Sequence, residues 1–253
     1  MTTTVAELDW SGFDAVLFDL DGVLTPTAEV HRHAWAQMFT EFLADRDVAA
    51  YSERDYFSSV DGRPRYDGVA AVLASRDIEL PWGSPDDPPD TSTVCGLGNR
   101  KNGLFGEILA RDGVQPYPGS ARLLDALDAR GTRMAVVSSS ANAPEVLRAA
   151  GLLTRFETVV DGTVARQREL AGKPRPDTYE FAADTLGVAH GRAVVVEDAV
   201  SGVEAGAAGS FALVIGVDRG AGMQTLLAHG ADVVVGDLAD LLPGLVSGAT
   251  APR

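Results

Sequence analysis

The chain of 253 residues carries 36 acidic against 21 basic side chains, a formal charge of −15, and is 45% hydrophobic. That apolar share suffices for a full core, in one large domain or two smaller ones. The acidic balance repels a phosphate backbone, so no nucleic-acid partner is expected. No run approaches the roughly 18 apolar residues of a spanning helix, so no membrane partner is expected. The opening residues MTTTVAELDWSGF lack the basic and apolar regions of a secretion signal, and the single Cys95, placed in a polar loop, can form no internal disulfide. A cytoplasmic chain acting as a monomer is the expectation.

Val16, Leu17 and Phe18 form a short apolar run, read as a buried strand, which breaks into Asp19-Leu20-Asp21-Gly22. Two carboxylates so close at the end of a buried strand are costly unless something positive sits between them. Gly22 allows a sharp turn or a close approach. Ligands of an open parallel sheet gather outside the carboxyl ends of its strands, so a metal and an anionic substrate are natural guests. A capped turn with solvated aspartates is the alternative reading.

Helical periodicity follows over Ala28–Ala44, where Val30, Ala34, Met38 or Gln37, and Phe42 share a stripe with Trp35 and Phe39 beside it. Further helices are predicted at Glu53–Val60, Tyr66–Ser75 and Gly96–Arg111, with a Pro/Asp-rich loop at Pro81–Asp90. From Tyr117 the pattern changes. Strands are predicted at Arg133–Val137, Phe156–Val160, Ala193–Val196, Phe211–Ile215 and Asp232–Val235. Helices are predicted at 120–130, Pro144–Ala150, Asp177–Leu186, Gly202–Ala208 and between the last two strands; the tail Ser247–Arg253 reads as frayed. This alternation predicts an α/β fold with a doubly wound parallel-sheet, Rossmann-like core. The core would comprise 1–24 and 116–253, interrupted by an inserted α-helical cap domain over 25–115. Because the insertion begins just after the paired aspartates, it is expected to sit over them.

Three more strand ends carry polar residues. Ser138-Ser139-Ser140-Ala141-Asn142 offers hydroxyls and N–H groups for a phosphate cradle, or an N-cap cluster. Lys173, stiffened by Pro174 and Pro176, could neutralise phosphate charge and a neighbouring carboxylate, or be an ordinary surface lysine. Glu197-Asp198 ends a fully apolar strand and, with Asp19, supplies the hard oxygen ligands that Mg²⁺ prefers. Gly202, Gly206 and Gly209 mimic a nucleotide fingerprint, but they fall within or after a helix, where small residues serve close packing.

The order D-x-D-G, Ser, Lys, Glu-Asp, each at a strand end or adjacent loop, resembles the haloacid dehalogenase-like superfamily, and most closely its β-phosphoglucomutase group. Cap segments match too: Thr27-Ala28-Glu29-Val30-His31 with Ala34-Trp35, Gly62-Arg63-Pro64-Arg65, and Arg100-Lys101-Asn102. So do Asn142-Ala143-Pro144 and Gly172-Lys173-Pro174-Arg175-Pro176-Asp177. Pro26 stands where the family often has an acid, Ala141 where a lysine is common, and the Pro81–Asp90 loop is longer than usual.

The resemblance implies an enzyme that interconverts β-D-glucose 1-phosphate and D-glucose 6-phosphate through an aspartyl-phosphate and a bisphosphate intermediate. Asp19 would be the nucleophile and Asp21 the general acid/base. Mg²⁺ would be held by Asp19, the Asp21 carbonyl, Glu197 and Asp198. Ser138, Ser139 and Lys173 would bind the transferring phosphoryl group. His31, Arg65, Lys101, Ser140 and Asn142 would bind the phosphorylated sugar, His31 helping to set Asp21, with Lys101 as either a contributor or an exposed helix lysine. A sugar-phosphate phosphatase with the same residues and water as acceptor is the second reading; Ala141 keeps the acceptor open. A dehalogenase would have no use for Asp21 or a Mg²⁺ site. A phospho-receiver or binding module, the reading from another class, does not account for the large insertion.

Overall fold

The computed structural model describes residues 8–61 and 63–247. The opening residues 1–7, Gly62 of the Gly62–Arg65 segment and residues 248–253 of the predicted frayed tail lie outside the described residues. The chain divides into two compact units, one of Met1–Pro26 with Gln115–Arg253 and the other of Thr27–Val114. No helix among the described residues is long and apolar enough to cross a membrane.

Six strands build the first unit: β1 (Ala15–Phe18), β2 (Arg133–Val137), β3 (Thr158–Val160), β4 (Ala193–Glu197), β5 (Leu213–Val217) and β6 (Val233–Val235). They pair in parallel in the order β3-β2-β1-β4-β5-β6. This is the doubly wound order whose direction reverses beside β1, where such sheets leave a crevice for ligands. β1, β4 and β5 are buried at every position, as strands covered on both faces must be. Phe18 lies level with Val136 of β2 and Val196 of β4. Register therefore delivers Asp19, Ser138 and Glu197 to one edge of the sheet.

Between β1 and β2 run α1 (Thr27–Leu43), α2 (Glu53–Asp55), α3 (Arg65–Ala74), α4 (Val94–Asp112) and α5 (Pro118–Arg130), with a turn of π-helix over Tyr56–Val60 continuing α2. Next come α6 (Ala143–Ala149), α7 (Gly162–Gln167), α8 (Asp177–Leu186), α9 (Val200–Ala208), α10 (Met223–Ala228) and α11 (Leu242–Ser247). α1 to α4 belong to the second unit, where Trp35, Met38, Phe39 and Phe42 of α1 pack with Val69, Val72 and Leu73 of α3 and Leu97 of α4. Gln37 is exposed, so the α1 stripe runs through Met38.

Several boundaries differ from expectation for local reasons. α4 begins at Val94 because the Thr93 hydroxyl caps it, accepting from Gly96 N at 2.9 Å. Cys95 is thus a buried residue of a helical first turn, not of a polar loop. β5 starts two residues later than predicted, since Phe211 precedes it and sets its ring edge-on to Tyr179 at 6.2 Å. The short helix α7 was not predicted; Asp161 caps it by accepting from Thr163 N and Val164 N at 2.9 and 2.7 Å.

Candidate active site

At the β1 end, Asp19 N donates to Val196 O at 2.9 Å, so the chain leaves the sheet still tied to β4. The next residues curl back on themselves: Leu24 N and Thr25 N both reach Leu20 O, at 2.9 and 3.1 Å, and Gly22 N reaches Thr25 O at 2.8 Å. Gly22 has φ +92, and a Cβ there would lie 2.0 Å from Asp198 Oδ2. Only glycine satisfies both demands. The β1 turn and the Asp198 carboxylate are therefore in direct van der Waals contact.

Lys173 joins the two strand ends. Its ammonium donates to Asp19 Oδ1 at 2.6 Å, to Glu197 Oε1 at 2.6 Å and to Val137 O at 3.0 Å, using all three protons. Burial pulls the Lys173 ammonium down, but Asp19 and Glu197 more than offset it and leave its pKa raised, so the lysine is charged. Burial pushes the Asp19 carboxyl well up, against the pull of Lys173 and with the help of Glu197 and Asp21.

Glu197 is 1% exposed and accepts four hydrogen bonds: Oε1 from Lys173 and from the Tyr179 hydroxyl at 2.8 Å, Oε2 from the backbone N–H groups of Asp198 and Ala199 at 3.1 and 3.2 Å. These fill the lone-pair directions of a carboxylate. Room for it depends on Gly202, where a Cβ would fall 1.8 Å from Glu197 Oε1. Close packing, the role read for this glycine from sequence, is here packing against a buried anion.

One oxygen each from Asp19, Glu197 and Asp198 lie within 4.8 Å of one another. Lys173 bonds two of these, and Asp21 lies near enough to help raise the Asp19 carboxyl, so four carboxyl groups gather where one ammonium is bonded to two of them. A hard divalent cation would relieve this gathering of acids, and the all-oxygen donor set suits one.

The serine loop stands beside this cluster. Ser138 Oγ donates to Asp21 Oδ2 at 3.4 Å and accepts from Ser140 N at 3.1 Å; Ser140 Oγ in turn accepts from Asn142 N at 3.2 Å. Asn142 is buried and stands at the N-cap of α6, but its side chain makes no capping bond. A Cβ on Gly162 would meet the Ser139 carbonyl at 2.7 Å, so the loop is pressed onto the start of α7.

The sequence-predicted residues of the second unit form two groups. Lys101 is 3% exposed and not a surface lysine: its ammonium contacts His31 Nδ1 and lies 5.1 and 5.0 Å from the Trp35 and Phe105 rings. His31 stacks on Phe105 at 4.1 Å. Arg65 heads α3 and donates to Asn99 Oδ1 at 3.4 Å.

Two residues of the first unit went unread in the sequence. Tyr179 is fully buried, and burial, then the charges of Glu197 and Asp19, push its phenol well up, so it remains a donor to Glu197. Its i,i+3 and i,i+4 spacing to Ala182 and Ala183 reads as core, and only the neighbourhood of Lys173 hints at more. Arg219, just past β5, donates to Gly22 O at 2.9 Å and to Gly236 O at 3.2 Å, with its guanidinium 4.0 Å over the Tyr117 ring. It ties the β1 turn to the far half of the sheet, a long-range link that no local pattern encodes.

Residues 13–209 match the family model described as haloacid dehalogenase-like hydrolase. A protein of Mycobacterium bovis named β-phosphoglucomutase is 50% identical over 242 residues, 90% of this chain and 91% of that one. A Bacillus subtilis protein of the same name is 32% identical over 229 residues, 90% and 91% of the two chains. Among solved structures, CbbY of Rhodobacter sphaeroides in complex with xylulose-(1,5)bisphosphate aligns with a TM-score of 0.72 at 25% identity, over 92% of this chain and 99% of that one.

Proposed function

The chain belongs to the haloacid dehalogenase-like family, in its β-phosphoglucomutase-like group, and from that premise we propose that it interconverts β-D-glucose 1-phosphate and D-glucose 6-phosphate. It is an enzyme of phosphoryl transfer, a phosphotransferase or phosphatase. The observation that carries the reading is the convergence of Lys173 on Asp19 and Glu197 at 2.6 Å, at the switch point of the sheet.

In this reading Asp19 attacks the phosphorus and carries the phosphoryl group as an acyl phosphate. An anion attacking an anion needs positive charge fixed beforehand, since preorganised charge acts without reorganisation during the reaction. Lys173, held by three acceptors, is such a charge. Asp19, Asp198 and the Asp21 carbonyl would hold Mg²⁺; Glu197, whose oxygens already accept four hydrogen bonds, would join them only by giving up one of these. When bound, the ion would offset the charge on the phosphoryl oxygens. Ser138 and Ser139 would donate to those oxygens. Asp21 gives a proton to the leaving sugar oxygen and takes one from the incoming hydroxyl. His31, Arg65 and Lys101, with Ser140 and Asn142, are proposed to bind the sugar and its non-transferring phosphate.

The test supplies β-D-glucose 1-phosphate, Mg²⁺ and a catalytic amount of glucose 1,6-bisphosphate and follows products by phosphorus NMR. The proposal expects glucose 6-phosphate as the main product. It also expects Asp19→Asn to lose at least about four orders of magnitude in kcat, as deleting a catalytic group does elsewhere. Dominant release of inorganic phosphate would replace the mutase by the phosphatase.

A further inference from the structure

Asn99 of α4 spends its whole side-chain amide in joining two parts of the helical unit. Nδ2 donates to Pro85 O at 2.9 Å and to Asp87 O at 2.8 Å, both in the Pro81–Asp90 segment. Oδ1 accepts from the Tyr66 hydroxyl at 3.0 Å and from Arg65 Nη1 at 3.4 Å. Two donors and two acceptor directions are the full capacity of the group.

The segment on one side is firmly strapped. Val94 N and Cys95 N donate to Pro81 O and Trp82 O, each at 3.0 Å, and Arg100 Nε reaches Pro89 O at 3.3 Å. The Asp87 carboxylate accepts from Thr93 Oγ1 at 2.6 Å and from Ser84 N at 3.1 Å. On the other side, a Cβ on Gly98 would come within 2.7 Å of the Tyr66 ring and 3.2 Å of Arg65 Cδ, so a bare glycine lets α4 pack against both side chains.

We infer that Asn99 is a positioning residue: it couples the strapped Pro81–Asp90 segment to Arg65 and so sets how the guanidinium is presented to the anionic group of the substrate that is not transferred. This rests on the role proposed for Arg65. An arginine loses considerable rotamer freedom when it is fixed on a ligand, and a neighbour that orders it beforehand lowers that cost. The neutrality of Asn99 also matters, because a carboxylate in its place would compete with the substrate anion for Arg65.

The experiment compares Asn99→Ala, Arg65→Ala and the double variant on two substrates. β-D-glucose 1-phosphate, assayed as above, presents a phosphate that is not transferred to the phosphorylated enzyme. p-Nitrophenyl phosphate, assayed for slow hydrolysis, presents only the transferred one. Asn99→Ala is expected to raise KM for the sugar phosphate about tenfold, equivalent to ~1.4 kcal/mol, with p-nitrophenyl phosphate hydrolysis within about twofold of the parent. The double variant should be no worse than Arg65→Ala alone. If Asn99→Ala fails to fold, Asn99→Ser serves: it keeps a small polar group on α4, is too short to join the segment to Arg65, and should raise KM for the sugar phosphate about as much. An impaired Arg65→Ala beside an unimpaired or additive Asn99→Ala would overturn the inference alone, as would equal losses on both substrates. An Arg65→Ala with unchanged KM would remove the reading of Arg65 and the inference with it.

Discussion

Gly202 and Tyr179 set the shape of the acidic cluster without reacting. In an ordinary helix, Gly→Ala gains about 1 kcal/mol. At Gly202 the new methyl would stand 1.8 Å from Glu197 Oε1, and overpacking of that kind costs roughly 1–3 kcal/mol. Gly202→Ala should therefore lower the melting temperature and kcat together, whereas a stabilised, active variant would show that Glu197 has room to move. Tyr179→Phe keeps the ring and removes one of four hydrogen bonds to a buried carboxylate. Such bonds contribute about 1.5–3 kcal/mol, so a clear loss in denaturant midpoint is expected. An unchanged midpoint would leave Tyr179 with a packing role only. Asp19 and Glu197 were legible because charge at the end of an apolar strand is anomalous, whereas Lys173, in the loop between α7 and α8, stood out only by its place in the order of motifs. Tyr179 was not legible, because a buried aromatic on an amphipathic helix is what a core requires anyway.

At the scale of elements, the helical unit is pinned by an ion pair far along the chain. Arg76, 4% exposed at its side chain, bonds Asp55 Oδ2 at 2.8 Å and Oδ1 at 3.2 Å, and also reaches the carbonyls of Ala49 and Ala50. The Arg76 hydrogen bonds, opposed by burial and assisted by Ser52, hold the Asp55 carboxyl below its usual range. A depressed carboxylate stabilises the fold above its unfolded pKa and loses that contribution as pH falls through the lower folded value. The stability gap between the parent and Asp55→Asn should thus be full at neutral pH and close only below about pH 4. A gap that is already closed at pH 6 would contradict this. Periodicity revealed most helices here, α1 and α3 to within a residue at each end. It could not reveal that the Pro/Asp-rich segment is bonded along its length to α4, since those bonds run from side chains and cap backbone into an aperiodic stretch.

For the whole molecule, a chain of net charge −15 that handles anions must concentrate its positive charge locally. In the α/β unit it does so with Lys173, buried among acids whose common demand is a further cation. The alternation of strands and helices made the parallel sheet readable, because the strand interiors are apolar and most of the connections carry Gly, Pro or Ser. The strand order places β1 and β4 side by side, and this brings residues almost 180 positions apart into one cluster. In the proposed reaction Asp19 is the group that carries the phosphoryl. Borohydride reduces an acyl phosphate of aspartate to homoserine, which peptide mass spectrometry can locate. Quenching the working enzyme with borohydride should convert residue 19, and residue 19 alone, to homoserine in proportion to the phosphorylated fraction. Sustained turnover with an unmodified Asp19, or with the mark on another carboxylate, would contradict it.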